Sequence, residues 1–148
     1  MKQINICLFL CLSFMLIGCS KEPKPISYGE DECEFCKMIV MDERYGSEMV
    51  TAKGKIYFFD SIECLVAYID NMKMSKDDYN SLWVSNYANP GKIIDAENAI
   101  YLKNDSLRSP MGLNALAAEK DSEIEPIIEQ YGGNKLMFVE LLPLVKAL

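Results

Sequence analysis

Residues 54–64 are Gly-Lys-Ile-Tyr-Phe-Phe-Asp-Ser-Ile-Glu-Cys, a stretch that predicts a strand running directly into a helix. Residues 56–59 have the aromatic and β-branched composition of a strand. Asp60 stands in position to cap a helix, and Glu63, three residues later, can complete a capping box. Apolar residues then recur at helical spacing as far as Met72. This periodicity predicts a helix with one buried face.

The segments around this junction predict two similar halves. Residues 48–52 and 55–59 form a predicted hairpin joined at Lys53-Gly54. Further strands are predicted at 38–41, 82–87, 99–103 and 136–142, and further helices from Ser109-Pro110 onward and at 122–131. Two strand-to-helix junctions follow, one in each half. We therefore expect an α+β fold, a small single domain of two ββα-type halves with antiparallel strands.

The amino-terminal stretch predicts a bacterial lipoprotein signal. Lys2 is the only charge before an apolar run from Ile4 to Ile17, which leads into Gly18-Cys19. The run is too short for a comfortable membrane-spanning helix, and a small residue before a cysteine is typical of a lipoprotein cleavage site. We predict cleavage after residue 18 and lipidation of Cys19. An uncleaved anchor helix would leave the rest of the chain in the same compartment, outside the cytoplasm.

This interpretation divides the chain into three segments. Residues 1–18 are the predicted signal peptide, and residues 33–148 are the predicted folded domain. Between them, residues 19–32 are rich in Lys, Glu, Pro and Ser and poor in apolar residues. That composition is typical of a flexible, solvated tether.

The cysteine count indicates protected thiols rather than a disulfide framework. Of six cysteines, two leave with the signal and Cys19 carries lipid, so Cys33, Cys36 and Cys64 remain. Three thiols cannot all pair, and an idle exposed thiol is easily oxidised outside the cytoplasm. A function that protects them is therefore expected.

The charge excludes two classes of partner. The formal net charge is -7 and becomes -8 when Lys2 leaves with the signal. No basic patch stands out, which argues against nucleic acid and against electrostatic binding to a membrane. Any membrane attachment would be through the lipid at Cys19.

Residues 33–38, Cys-Glu-Phe-Cys-Lys-Met, place two thiols and a thioether within six residues. Soft sulfur ligands of this kind select Cu(I). Zinc prefers four Cys or His donors in a closed tetrahedron, and this chain has no histidine. Zinc would need a carboxylate such as Asp31 or Asp60. The sequence therefore favours a low-coordinate Cu(I) site at Cys33, Cys36 and Met38.

The sequence also allows other interpretations of the thiols. Cys33 and Cys36 could exchange disulfides as a redox pair, although they follow a tether rather than a strand in a βαβ unit. They could also form a purely structural disulfide. Cys64, in the first turn of the predicted helix, could be a small buried apolar residue. Alternatively, the helix amino terminus could favour its thiolate, although Glu63 beside it acts in the opposite direction.

Several ordered motifs together resemble the NosL family, the copper-binding accessory lipoproteins of nitrous oxide reductase. They are the lipoprotein signal, residues 33–38, residues 54–64, Trp-Val-Ser-Asn-Tyr at 83–87 and Ser-Pro-Met-Gly at 109–112. The resemblance covers nearly the whole mature domain. It implies a fold similar to part of the organomercurial lyase fold, and a Cu(I) site.

The resemblance also implies the site residues. Cys33, Cys36 and Met38 match the family's cysteine-methionine motif, Met111 matches the methionine of its Pro-Met-Gly motif, and Cys64 matches a recurring cysteine and is an additional candidate ligand. Asn86 stands where the family commonly has Asp, and residues 113–118 lack the usual aromatic. Neither departure removes a sulfur donor.

The expected function is that of a non-enzymatic Cu(I) metallochaperone. The resemblance implies a lipid-anchored protein of the cell envelope, facing the periplasm or the outside of the cytoplasm, that delivers copper for the maturation of nitrous oxide reductase. It also implies a membrane exporter-type maturation complex as a partner. The alternatives are a thiol-disulfide oxidoreductase and a structural lipoprotein of the same assembly.

Overall fold

The computed structural model describes residues 21–148, so the predicted signal peptide and Cys19 lie outside the described residues. Two antiparallel sheets and three α-helices form the domain. In chain order these elements are β1 (Ser47–Thr51), β2 (Ile56–Phe59), α1 (Ile62–Asn71), β3 (Tyr79–Ser85), β4 (Ile93–Asp95), β5 (Ile100–Lys103), β6 (Ala115–Ala118), α2 (Asp121–Tyr131), β7 (Asn134–Leu136) and α3 (Leu141–Val145). The predicted class, a small mixed domain with antiparallel strands, is confirmed.

The first sheet has the strand order β2-β1-β3-β4, and the second has the order β6-β5-β7. In the first hairpin Ser47 lies opposite Phe59, and in the second sheet Ile100 lies opposite Ala118. Helix α1 follows β2, and α2 follows β6. Each half therefore contains a strand pair followed by a helix.

The hydrophobic core has a main part and a smaller part. The main part lies between the first sheet, α1 and α3, and it includes Phe59, Leu65 and Leu82. The smaller part lies where α2 covers the second sheet and includes Leu116 and Ile124. A backbone hydrogen bond of 2.9 Å from Tyr87 N to Ala117 O links the two sheets.

Three predicted elements are wrong. The strand predicted at 38–41 is not formed, and only an isolated bridge pairs Ile39 with Glu32. No helix begins at Ser109; residues 109–114 form a turn between β5 and β6, and the second helix starts at Asp121. The predicted strand at 136–142 is instead the short β7, a 3-10 turn at Phe138–Glu140, and α3. The first helix is capped by Ser61 rather than Asp60, and the Ser61 hydroxyl accepts from the backbone N–H of Cys64 at 3.5 Å.

The chain before Cys33 packs on the domain rather than extending as a free tether. Residues 24–28, here called the N-terminal strap, lie against the first sheet: Glu48 accepts from Lys24 N at 3.1 Å, and the Tyr28 hydroxyl pairs with Ser85 Oγ at 2.8 Å. Ile26 is buried in the main core. The folded domain therefore begins before the predicted boundary at 33. Among residues 21–148, no helix is long and apolar enough to cross a membrane.

Candidate metal centre

Three thiols meet at the end of strand β2. The Sγ atoms of Cys33, Cys36 and Cys64 all lie within 4.8 Å of one another, and all three cysteines are free. Cys33 and Cys64 are buried, whereas Cys36 is partly exposed. The structure thus brings together two residues of one motif and a third that is 28 positions away from the nearer of them.

A hydrogen-bonded turn holds the first two thiols. Cys33 N donates to Met38 O at 2.8 Å, and Lys37 N donates back to Cys33 O at 3.0 Å. Lys37 closes the turn with a left-handed backbone (φ 64). Glu34 N donates to Phe58 O at 2.8 Å, which fixes the turn to β2. Since β2 runs straight into α1, the first turn of that helix places Cys64 beside the pair.

Of the three thiols, Cys33 is the one that most readily becomes a thiolate. A hydrogen bond from the Cys64 thiol is the main cause that lowers the pKa of Cys33 to about 5; burial opposes this shift, and the backbone N–H of Cys36 at 3.4 Å supports it. The same hydrogen bond, together with burial, raises the pKa of Cys64. Burial is the main cause that raises the pKa of Cys36. The helix amino terminus therefore does not make Cys64 the thiolate of the group.

This arrangement can hold a soft metal ion with three sulfur donors. Three thiols leave a tetrahedral zinc site one donor short, whereas Cu(I) accepts two or three sulfurs. Cys36 lies on the solvent side of the cluster. A ligand from another molecule could therefore approach the cluster on that side.

The two predicted methionine ligands lie in different settings. The Met38 side chain follows the thiol turn and is 46% exposed. Met111 is half-buried in the turn between β5 and β6, and it lines a cavity of about 370 Å³ together with Phe35, Glu63, Cys64, Ala67, Val145 and Leu148. Met111 is thus brought to the same cavity as Cys64, although not by the helix start that the sequence predicted.

No sequence pattern indicates the contact between Glu63 and Ser109. The Ser109 hydroxyl donates to Glu63 Oε1, and among the described residues no partner is found for the buried Glu63 Oε2. Local sequence patterns place each residue in a helix cap instead. The sequence does place Glu63 next to Cys64, and Ser109 two residues before Met111. The local cap patterns obscure the contact that these positions allow.

Comparison with known proteins finds similarity to one family in sequence and in structure. The NosL family model matches residues 25–144. A curated relative, the copper-binding lipoprotein NosL of Stutzerimonas stutzeri, is 26% identical over 149 residues, covering 90% of this chain and 77% of the relative. The crystal structure of the copper chaperone NosL from Shewanella denitrificans superimposes with a TM-score of 0.68 at 24% identity, covering 82% of this chain and 96% of that one. Since the family model spans most of the chain, including all three thiols, the protein belongs to the NosL family.

Proposed function

We propose that this protein is a Cu(I) metallochaperone, lipid-anchored through Cys19 in the cell envelope outside the cytoplasm. Its cargo would be delivered for the maturation of nitrous oxide reductase. The observation that carries the proposal is the cluster of three free thiols whose sulfur atoms lie within 4.8 Å of one another. Copper is here a transported substrate rather than a resident cofactor.

The donor set supports Cu(I) as the cargo. Thiolate and thioether ligands are soft and stabilise the monovalent ion, and a site of two or three sulfurs satisfies its coordination. In the proposed site Cys33, Cys36 and Cys64 are the thiolate ligands. Met38 and Met111 are thioether donors that complete the coordination of the ion or exchange with these thiolates.

The exposure of the donors supports a transfer function. Cys33 and Cys64 are buried, Cys36 is partly exposed, and Met38 is 46% exposed. An incoming ligand from an acceptor can then bind copper on the exposed side before the buried thiols release it. Such stepwise exchange avoids free copper and requires no catalysed chemical reaction.

Likeness to relatives supports the lipid anchor and the chaperone role. The curated relative is a lipoprotein that binds copper, and the solved structure is that of a copper chaperone. Nitrous oxide reductase and a membrane exporter-type maturation complex are the partners that the family resemblance implies. A cross-linking experiment on native membranes, with Cys19→Ala as the unanchored control, would test both the partners and the anchor.

Replacing any one thiol should weaken copper binding. Because even residues that only support metal ligands change affinity by about 10–100-fold, Cys33→Ser, Cys36→Ser and Cys64→Ser should each lower Cu(I) affinity by at least about 100-fold. Competition with a chromophoric Cu(I) chelator measures this. Met72→Leu is the control, because Met72 is 58% exposed and lies at the end of α1. Unchanged affinity in all three serine variants would refute the proposed site.

One observation favours a second candidate, a thiol-disulfide oxidoreductase. The pKa of Cys33 is lowered to about 5, as in reactive redox cysteines. However, the Cys33 side chain is fully buried, and an attacking thiolate must reach its disulfide. We expect negligible reduction of insulin by the thiol form of the protein. Turnover comparable to that of a thioredoxin would support the oxidoreductase instead.

A further inference from the structure

We infer that Glu63 and Ser109 are positioning residues that hold the Met111 thioether beside the thiol cluster. The inference rests on the proposed function, because it concerns how Met111 is held ready as a donor to Cu(I). Neither residue is itself a metal ligand in this proposal. Their role is to fix the distance and orientation between a loop and a helix.

The loop that carries Met111 is closed on itself. Asn114 N donates to Ser109 Oγ at 2.8 Å, Ser109 N donates to Asn114 Oδ1 at 3.4 Å, and Gly112 N donates to Ser109 O at 3.3 Å. Gly112 and Asn114 adopt left-handed backbones (φ 87 and φ 58), which Gly and Asn tolerate best. Residues 109–114 therefore form a small closed loop with Met111 at its tip.

The Ser109 hydroxyl ties this loop to helix α1. It accepts from Asn114 N and donates to Glu63 Oε1, so both of its hydrogen-bonding capacities are used. Glu63 and Cys64 are consecutive residues in the first turn of α1. The same helical turn thus carries one of the clustered thiols and the anchor of the Met111 loop.

Glu63 stands at a position where packing alone would favour an apolar side chain. It is 2% exposed, and among residues 21–148 its Oε2 has no hydrogen-bond partner. Leaving a buried carboxyl oxygen unpaired costs free energy that an apolar residue of similar size would not. The bond to Ser109 gives this carboxyl a role beyond packing, which is to fix the Met111 loop on α1.

Positioning matters for this donor in particular. A thioether is neutral and a weak ligand, so its contribution to affinity depends on being held in place before the metal arrives. Met111 and Cys64 line one cavity, which gives a metal ion bound at the thiols room to reach the thioether. Without the hydrogen bond between Ser109 and Glu63, the loop would no longer be held at a fixed place beside the thiol cluster.

The test is NMR of the mature protein with 13C-labelled methionine methyl groups, with and without Cu(I). In the parent, the Met111 methyl resonance should be distinct and should shift on Cu(I) addition. In Ser109→Ala it should move toward the position of the exposed Met41 methyl and lose the Cu(I)-induced shift, and Cu(I) affinity should fall about tenfold. Ser109→Thr, which keeps the hydroxyl, should restore both the Cu(I)-induced shift of the Met111 methyl and the Cu(I) affinity. Ser106→Ala, an exposed change in the same loop region, is the control.

Variants of the partner residue make the test independent of one substitution. Glu63→Gln keeps an oxygen acceptor for Ser109 and should retain the Met111 signals, whereas Glu63→Ala should lose them as Ser109→Ala does. The double variant should be no worse than Ser109→Ala alone, because that change already removes the bond to Glu63 as well as the bond from Asn114 N. Additive losses, or a Met111 signal retained in both alanine variants, would overturn the inference.

The outcomes separate this inference from the proposed function. If the parent binds Cu(I) through its thiols while the Met111 methyl does not shift, the positioning role is refuted and the metallochaperone proposal stands. If the parent binds no Cu(I), the proposed function fails and this inference fails with it.

Discussion

Glu48 is a fully buried acid in strand β1, and its carboxylate accepts hydrogen bonds from the N-terminal strap. Lys24 N donates to Glu48 Oε1 at 3.1 Å and to Oε2 at 3.3 Å. Burial raises the pKa of Glu48 from 4.5 to about 7, although the Lys24 N–H partly offsets this shift. The folded protein therefore holds a proton at Glu48 more tightly than the unfolded chain does.

This proton linkage predicts that stability falls as the pH rises. Between pH 4.5, where the unfolded chain releases the proton, and about pH 7, where the folded protein does, the free energy of unfolding should decrease. Glu48→Gln keeps an acceptor for Lys24 N and cannot ionise. Relative to this variant, the parent should lose roughly 1–3 kcal/mol between pH 5 and pH 8. Urea unfolding at the two pH values measures the difference, and parallel pH dependences would contradict the prediction.

Single residues show how much of the site local patterns could predict. The closeness of Cys33 and Cys36 follows from a motif of six residues, because they are only three positions apart in the chain, whereas Met38 as a ligand stays a prediction. Cys64 alone could have been a packing residue, and only the close approach of β2, α1 and the thiol turn brings its sulfur to the others. That contact depends on tertiary structure, which spacing alone does not specify.

At the level of elements, the connection from α2 to β7 depends on one glycine. Helix α2 ends where Gly132 N donates to Ile128 O at 2.7 Å, and Gly133 then passes β5 with φ 115. A Cβ at Gly133 would lie 2.6 Å from Lys103 O and 2.9 Å from Leu102 Cδ1. Both the backbone angle and the close approach require glycine here.

Gly133→Ala should therefore destabilise the protein by about 2 kcal/mol or more. The matched control is Gly29→Ala. Gly29 has φ 85 but nothing within 4 Å of a Cβ, so it should show only the backbone cost of about 1 kcal/mol. Thermal and urea unfolding compare the two variants. Equal losses of stability in the two variants would mean that the close approach of Gly133 to β5 adds nothing to the cost of the substitution.

The elements that sequence predicted well are those specified by local signals. The hairpin of β1 and β2 and the start of α1 follow from a glycine turn, aromatic strand residues and a polar cap. The predicted helix at Ser109 failed because its hydroxyl bonds Asn114 and Glu63 instead of a helix amino terminus. Pro143 predicts the end of a strand rather than a helix. It lies, however, in the first turn of α3, where no intrahelical N–H bond is lost.

For the whole molecule, the N-terminal strap links the predicted membrane anchor to the thiol turn. Ile26 packs in the main core, and the chain then continues through Gly29, whose N–H donates to Val40 O at 2.8 Å. Val40 N donates to Asp31 O at 2.9 Å. The chain segments that flank the thiol turn are thus fixed by residues whose composition is typical of a tether.

A chain that starts at residue 33, the predicted domain boundary, should therefore be less stable than one that starts at residue 21 and should bind Cu(I) more weakly. It loses the buried Ile26 side chain, the partner of Val40 and the contact to Glu48. Ile26→Ala in the longer chain should alone cost about 2–4 kcal/mol, whereas Ile39→Ala, at a side chain 40% exposed, should cost less than about 1 kcal/mol. Unfolding and Cu(I) competition on the same four proteins decide the matter. If the shorter chain matched the longer one in both, residues 21–32 would serve only as a tether. If it lost Cu(I) affinity in proportion to stability, the thiol turn would depend on the strap for its shape.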